Sequence, residues 1–241
     1  MGAAVPLVLE VFQPAGKERT SRSPLPLPII IAIGIAQNLI LLGVAIGVGL
    51  VGGAQGSVLV RRCFRPGSMA EQSTAKRARL VGLRRVLVGI AVGVVVLIPM
   101  LIAAPHLPGL PLVSAGRAAL WKRVIVGLYG GIDEEILARL FLLSLFAWLG
   151  TKVFQKHDAG LSARVFWIAN IIAAILFGLG HLPSASLVMH ITPAVVAFAL
   201  ILNGIPALSF GYLYWRRGLE SAMIAHFCAD FVIYVIGPAF L

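Results

Sequence analysis

Long apolar stretches broken by short polar ones dominate this chain. They run over about 28–52, 86–104, 122–150, 164–182, 191–215 and 219–241. At ~1.5 Å rise per residue, roughly 20 apolar residues cross a 30 Å hydrocarbon core, and each stretch is near or beyond that length. Backbone polar groups in lipid must be satisfied within the segment, so the pattern predicts helices. The fold class expected is all-α: a polytopic membrane helical bundle with about six transmembrane helices, in a range of six to eight. The third stretch is longer than a perpendicular crossing needs, which predicts a tilt or a break. The fifth is interrupted by Pro193, Gly204 and Pro206.

Three regions follow. Residues 1–27 are a polar, Pro-rich N-terminal segment, with an apolar patch at 5–12 suited to a membrane surface. Residues 28–119 hold two spans around a basic loop at 53–85, and 120–241 hold the remaining four. The first apolar run is too long and too late for a cleaved signal peptide, and is expected to be a retained anchor. Only 12% of residues are charged and 59% are hydrophobic, against about 25% charged in soluble domains.

The net charge of +11 would suit nucleic acid, but the positions of the cations argue for lipid. Thirteen Lys and Arg fall in the 53–85 loop, at 152–164 and at Arg216 and Arg217; six fall before spans one and three. This asymmetry places the 53–85 loop in the cytoplasm and both termini outside. The partners expected are membrane lipid and a peptide or protein substrate, with no nucleic acid, in an integral protein of the cell membrane. Cys63 and Cys228 make no disulfide framework. Gly43/Gly47 and Gly89/Gly93 have the spacing of helix-packing contacts.

Four acidic residues sit inside apolar stretches: Asp133, Glu134, Glu135 and Asp230. Each costs about 2.5–3.5 kcal/mol at a helix centre on insertion scales, so buried carboxylates need partners or a function. Glu135 with Arg139, Phe177 with His181, and His226 with Asp230 are i,i+4 pairs, and each shares one helix face. Glu135 has its cation one turn away; Glu134, about 100° around the helix, has none. A carboxylate taken out of water without a cation becomes more basic, which suits a general base acting on water. His181 and His226 can hold that water, bind a metal or donate to a developing oxyanion. No Ser, Thr or Cys is placed with a base as a nucleophile. His106 and His190, at span edges beside prolines, read as structural.

These residues resemble a known family. Glu134-Glu135-Ile136-Leu137-Ala138-Arg139 matches the Glu-Glu-x-x-x-Arg motif of the CPBP family, membrane proteases related to the CAAX prenyl endopeptidase and including the bacteriocin-processing Abi-like proteins. Phe177 to His181 matches its Phe-x-x-x-His motif, and His226 to Asp230 its His-x-x-x-Asn/Asp motif, all in the family's order. The resemblance covers about 120–241 and implies an intramembrane protease core there.

It also implies that Glu134 and His181 activate a water while His226 and Asp230 stabilise the tetrahedral intermediate. Glu135 and Arg139 are supporting residues on that reading. The family is often labelled metalloprotease, so a divalent metal such as zinc on Glu134, His181, His226 and Asp230 stands beside a metal-free site. Asp230 adds a condition: an ionised Asp only accepts hydrogen bonds, whereas Asn donates. A non-catalytic membrane scaffold and a proton-coupled transporter using the same buried groups are the alternatives. Counted from the span ends, Glu134, His181 and His226 fall at different depths, so a common site requires tilted or broken helices. The oligomeric state is open.

Overall fold

A computed structural model describes residues 75–106, 115–154, 161–186 and 190–241, together with the isolated helical positions Gly43 and Gly47. The first predicted span and the basic loop up to residue 74 otherwise lie outside the described residues. Helix α1 is Ala75–Ala103, and α2 is Leu120–Tyr129. The chain continues from α2 through π-helical Gly130–Glu134 and Ile136–Leu143 into α3, Ser144–Phe154. Next come α4 (Ala163–Leu179), the one-turn α5 (Leu182–Ala185), α6 (Pro193–Arg217) and α7 (Leu219–Asp230). A π-helical stretch, Phe231–Ile236, and a 3-10 turn end the chain. Among the described residues there is no strand, and five helical runs are long and apolar enough to cross a membrane. They correspond to the five predicted spans after the first.

Local chemistry sets the helix ends. Ser162 caps α4 and Thr192 caps α6, each side-chain oxygen accepting the backbone N–H three residues on; Pro193 follows Thr192 in the first turn. Gly218, at φ 90°, makes the turn from α6 to α7, a conformation costly for any residue with a Cβ. One boundary differs from expectation. Residues 75–85, predicted as loop, already belong to α1. The stretch AKRARLVGLRR is rich in Ala, Leu, Lys and Arg, all strong helix formers, and charge alone does not end a helix.

Inside and outside are sorted as lipid demands. Small residues fill the contacts between helices: Ala169, Ala173, Ala222, Ala225 and Ala229 are buried, around Phe166, Phe210 and Tyr214. Large aliphatics such as Ile168, Ile171 and Ile175 on α4 face outward. Gly89 and Gly93 let α1 lie against α7: a Cβ on Gly93 would come 2.8 Å from the Ala229 carbonyl oxygen, and one on Gly89 would overlap that of Ala225. That pair therefore packs helices, as its spacing predicts. Gly43 and Gly47 have open space around them among the described residues.

The charge map acquires a geometric counterpart. Phe166 stacks on Trp215 with ring centroids 4.1 Å apart, and Gly150 packs on Val165. Arg84 and Arg85 line one cleft with Arg216 and Arg217. The N-terminal part of α1, the start of α4 and the end of α6 thus share one end of the bundle. A Cβ on Gly116 would lie 3.6 Å from Pro238, which brings the segment before α2 together with the chain's C-terminal turn. If the charge asymmetry sets the orientation, Cys63 is expected to resist an impermeant thiol reagent in intact cells of a Cys228→Ser variant. Rapid labelling there would invert the topology.

Candidate active site

The acidic cluster lies where the long third span departs from α-helical winding. Gly130–Glu134 and Ile136–Leu143 are wound with i→i+5 hydrogen bonds, a geometry found often at functional sites. Such a wide turn rotates successive side chains by less than the ~100° of an α-helix. Adjacent Glu134 and Glu135 both face the His226 imidazole, Glu135 bonding Nδ1 and Glu134 lying 3.9 Å from Nε2.

Glu135 is fully buried and Arg139 is 2% exposed; Nη1 of Arg139 lies 2.9 Å from Oε1 of Glu135, the ion pair the spacing predicts. The same Oε1 accepts a 2.7 Å hydrogen bond from Nδ1 of His226 on α7. A carboxylate can only accept, so Nδ1 carries the proton, and the carboxylate fixes both the tautomer and the orientation of the ring. Phe210 stacks on the His226 ring, with centroids 4.9 Å apart and planes 25° from parallel. Arg139 sits over both Phe177 and Phe210, at 5.4 and 5.6 Å from their centroids, and its Nη2 donates to the Ala207 carbonyl at 3.2 Å. The guanidinium is thereby held between two rings, a carboxylate and a carbonyl, with Nη1 in the ion pair but in no hydrogen bond.

His181 follows the end of α4 and opens α5. Its Nδ1 is 2.8 Å from the Phe177 carbonyl oxygen, which accepts only, so this ring also holds its proton on Nδ1 and turns Nε2 inward. Phe177 thus serves twice, with its carbonyl on His181 and its ring on Arg139. Glu134 lies between the two imidazoles. Its Oε1 is 3.9 Å from Nε2 of His181 and its Oε2 is 3.9 Å from Nε2 of His226. Neither is a direct hydrogen bond; both are separations that one oxygen atom bridges. Oδ2 of Asp230 is 3.6 Å from Nε2 of His226. His181 and Glu134 are the more open members, with side chains 29% and 20% exposed, while His226 and Asp230 are 9% and 13%.

Glycines make the convergence sterically possible. A Cβ at Gly130 would overlap Oδ2 of Asp230, and one at Gly131 would lie 3.1 Å from the Met223 carbonyl oxygen and Phe227. These positions let the π-helical segment approach α7 closely enough for Glu134 to reach His226. On the opposite side, Gly211 of α6 faces the buried side chain of Asn170, whose Nδ2 donates to the Leu208 carbonyl at 3.1 Å. That contact sets α6 against α4 on either side of Phe210 in the chain.

All six residues read from the motifs come together, Glu134, Glu135, Arg139, His181, His226 and Asp230, although residue counting puts them at different depths. Three features were not read from the sequence. The bond from His226 to Glu135 joins residues 91 positions apart. Phe210 is one apolar residue in an apolar run. Asn170 does carry a signal, a lone amide inside a span. His106 and His190 are exposed and take no part in these contacts. Among the described residues no group of three His, Cys, Asp or Glu side chains is arranged to hold a metal ion.

Residues 116–232 match a family model described as Type II CAAX prenyl endopeptidase Rce1-like. The matched region spans α2 to α7 and contains all three motifs. No curated protein and no solved structure matches the chain.

Proposed function

We propose, from the match of residues 116–232 to the Type II CAAX prenyl endopeptidase Rce1-like family model and from the three motifs it contains, that the chain is a membrane CAAX-type endopeptidase of the CPBP family and hydrolyses a peptide bond of a membrane-associated substrate with water activated by Glu134. The substrate class is a peptide carrying a prenylated C-terminus or a leader, held beside the helices by its own apolar part. The protein is an integral membrane protein, and the proposed location is the cell membrane. The observation that carries the mechanism is the placement of Glu134 between two imidazoles that both present Nε2 to it.

Glu134 takes a proton from a water held against Nε2 of His181, and the water oxygen bonds to the scissile carbonyl carbon. Charge develops on the carbonyl oxygen beside Nε2 of His226. With Nδ1 committed to Glu135, a second proton on Nε2 makes that nitrogen the oxyanion's donor. An ionised Asp230 acts on His226 rather than on the oxyanion, since it can only accept. The carbon–nitrogen bond then breaks as Glu134 returns its proton to the leaving amine. Water is the nucleophile throughout, so no acyl-enzyme forms.

Membrane peptidomes of cells producing wild-type protein or Glu134→Gln at equal levels test the assignment. Fragments of membrane-associated proteins are expected only with the wild type. Identical peptidomes, together with an unchanged cellular phenotype, would favour a scaffold over an enzyme.

A further inference from the structure

We propose that the cleft between α1 and the end of α6 is a binding site for a phosphate-bearing anion, which at this depth is a phospholipid headgroup. The cleft, about 620 Å³, is lined by Arg84 and Arg85 from α1 and by Arg216 and Arg217 from α6, with Leu87 and Leu213 on its apolar side. Four guanidiniums from segments more than 130 residues apart in the sequence converge on one space. Among the described residues no carboxylate pairs with any of them; the ion pairs present all lie in the active site.

A topological role for basic residues requires only that they lie on one side of the membrane. It does not require two pairs to face each other, where like charges repel. A phosphate answers the unpaired charge, since its oxygens accept from planar guanidinium forks in pairs. The apolar wall suits an acyl chain, and the neighbouring Trp215, with Arg216 lying 5.5 Å over its ring, belongs to the interfacial belt. An occupant would tie α1 to α6, the helix that carries Phe210 against His226.

The test uses the full-length protein in dodecyl maltoside micelles, melted with added phosphatidylglycerol, phosphatidylcholine or inorganic phosphate. Phosphatidylglycerol is expected to raise the melting temperature saturably and phosphatidylcholine to leave it unchanged. Arg85→Gln/Arg216→Gln is expected to need about tenfold more phosphatidylglycerol or beyond for half the effect, as the loss of charged hydrogen bonds implies. Arg117→Gln/Lys122→Gln, at the other end of the bundle, should respond like wild type. A rise with inorganic phosphate that the cleft variant loses would identify a soluble phosphate compound as the source; a rise with lipid alone identifies a headgroup. Equal responses to the two lipids, or an unaltered response of the cleft variant, would overturn the site. Should the double variant not accumulate, Arg85→Gln alone carries the test: a weaker response supports the site, and a wild-type half-saturation removes it.

Discussion

Replacing Glu134 by Gln is expected to lower peptide cleavage by about 10²–10⁴-fold, the usual contribution of a general base, while leaving the folded protein nearly as stable as wild type. Glutamine keeps the volume and can still hydrogen-bond, but it cannot take the proton from water. Stability is spared because Glu134 is partly open and makes no direct hydrogen bond to either imidazole. Glu135→Gln should behave differently. Glu135 is fully buried, and its Oε1 serves Arg139 and His226 together. Removing its charge strands the guanidinium and offers His226 an amide that can present NH₂ where the ring needs an acceptor. Both stability and activity should fall. Purified protein in detergent, assayed on a confirmed substrate beside thermal melts, separates the two. Near-normal turnover in Glu134→Gln with a stable, inactive Glu135→Gln would exchange their roles; unaffected cleavage in both would end the glutamate–water mechanism.

That contrast also shows what could be read from the residues alone. Long apolar runs announce helices because lipid permits little else, and the five later spans follow. The ion pair of Glu135 with Arg139 was legible because one helical turn joins its members. The bond from Glu135 to His226 was not, since it spans 91 residues and depends on how α7 packs against the π-helical segment. Residue counting also assumes uniform α-helical rise, and the π winding over Gly130–Glu134 and Ile136–Leu143 breaks that assumption at the site itself. Phe210 was hidden for a different reason. Its role comes from two neighbours, His226 and Arg139, brought to it by other helices. The start of α1 within the predicted loop reflects helix propensity continuing past the edge of the hydrocarbon.

Arg139→Ala is expected to cost about 3–5 kcal/mol, the range for breaking a buried ion pair by removing one partner. For a protein of this size that corresponds to a melting temperature lower by about 6–20 °C, with less protein recovered from membranes. Three losses coincide at this residue. Glu135 would be left buried with only His226 beside it, the Ala207 carbonyl would lose its donor, and Phe177 and Phe210 would face the space the guanidinium now fills. Arg139→Lys should recover only part of the loss. An ammonium can reach Glu135, but it lacks the planar fork that bonds Glu135 and Ala207 while lying over two rings. The damage should extend to catalysis in whatever fraction still folds, because Phe210 packs on both Arg139 and His226. A titration of melting temperature against denaturing detergent, run for wild type, Arg139→Ala and Arg139→Lys, measures the order expected: wild type, then Lys, then Ala. If Arg139→Ala accumulates and melts like wild type, the Glu135–Arg139 pair does not hold these helices together, and the account of how His226 is positioned fails with it.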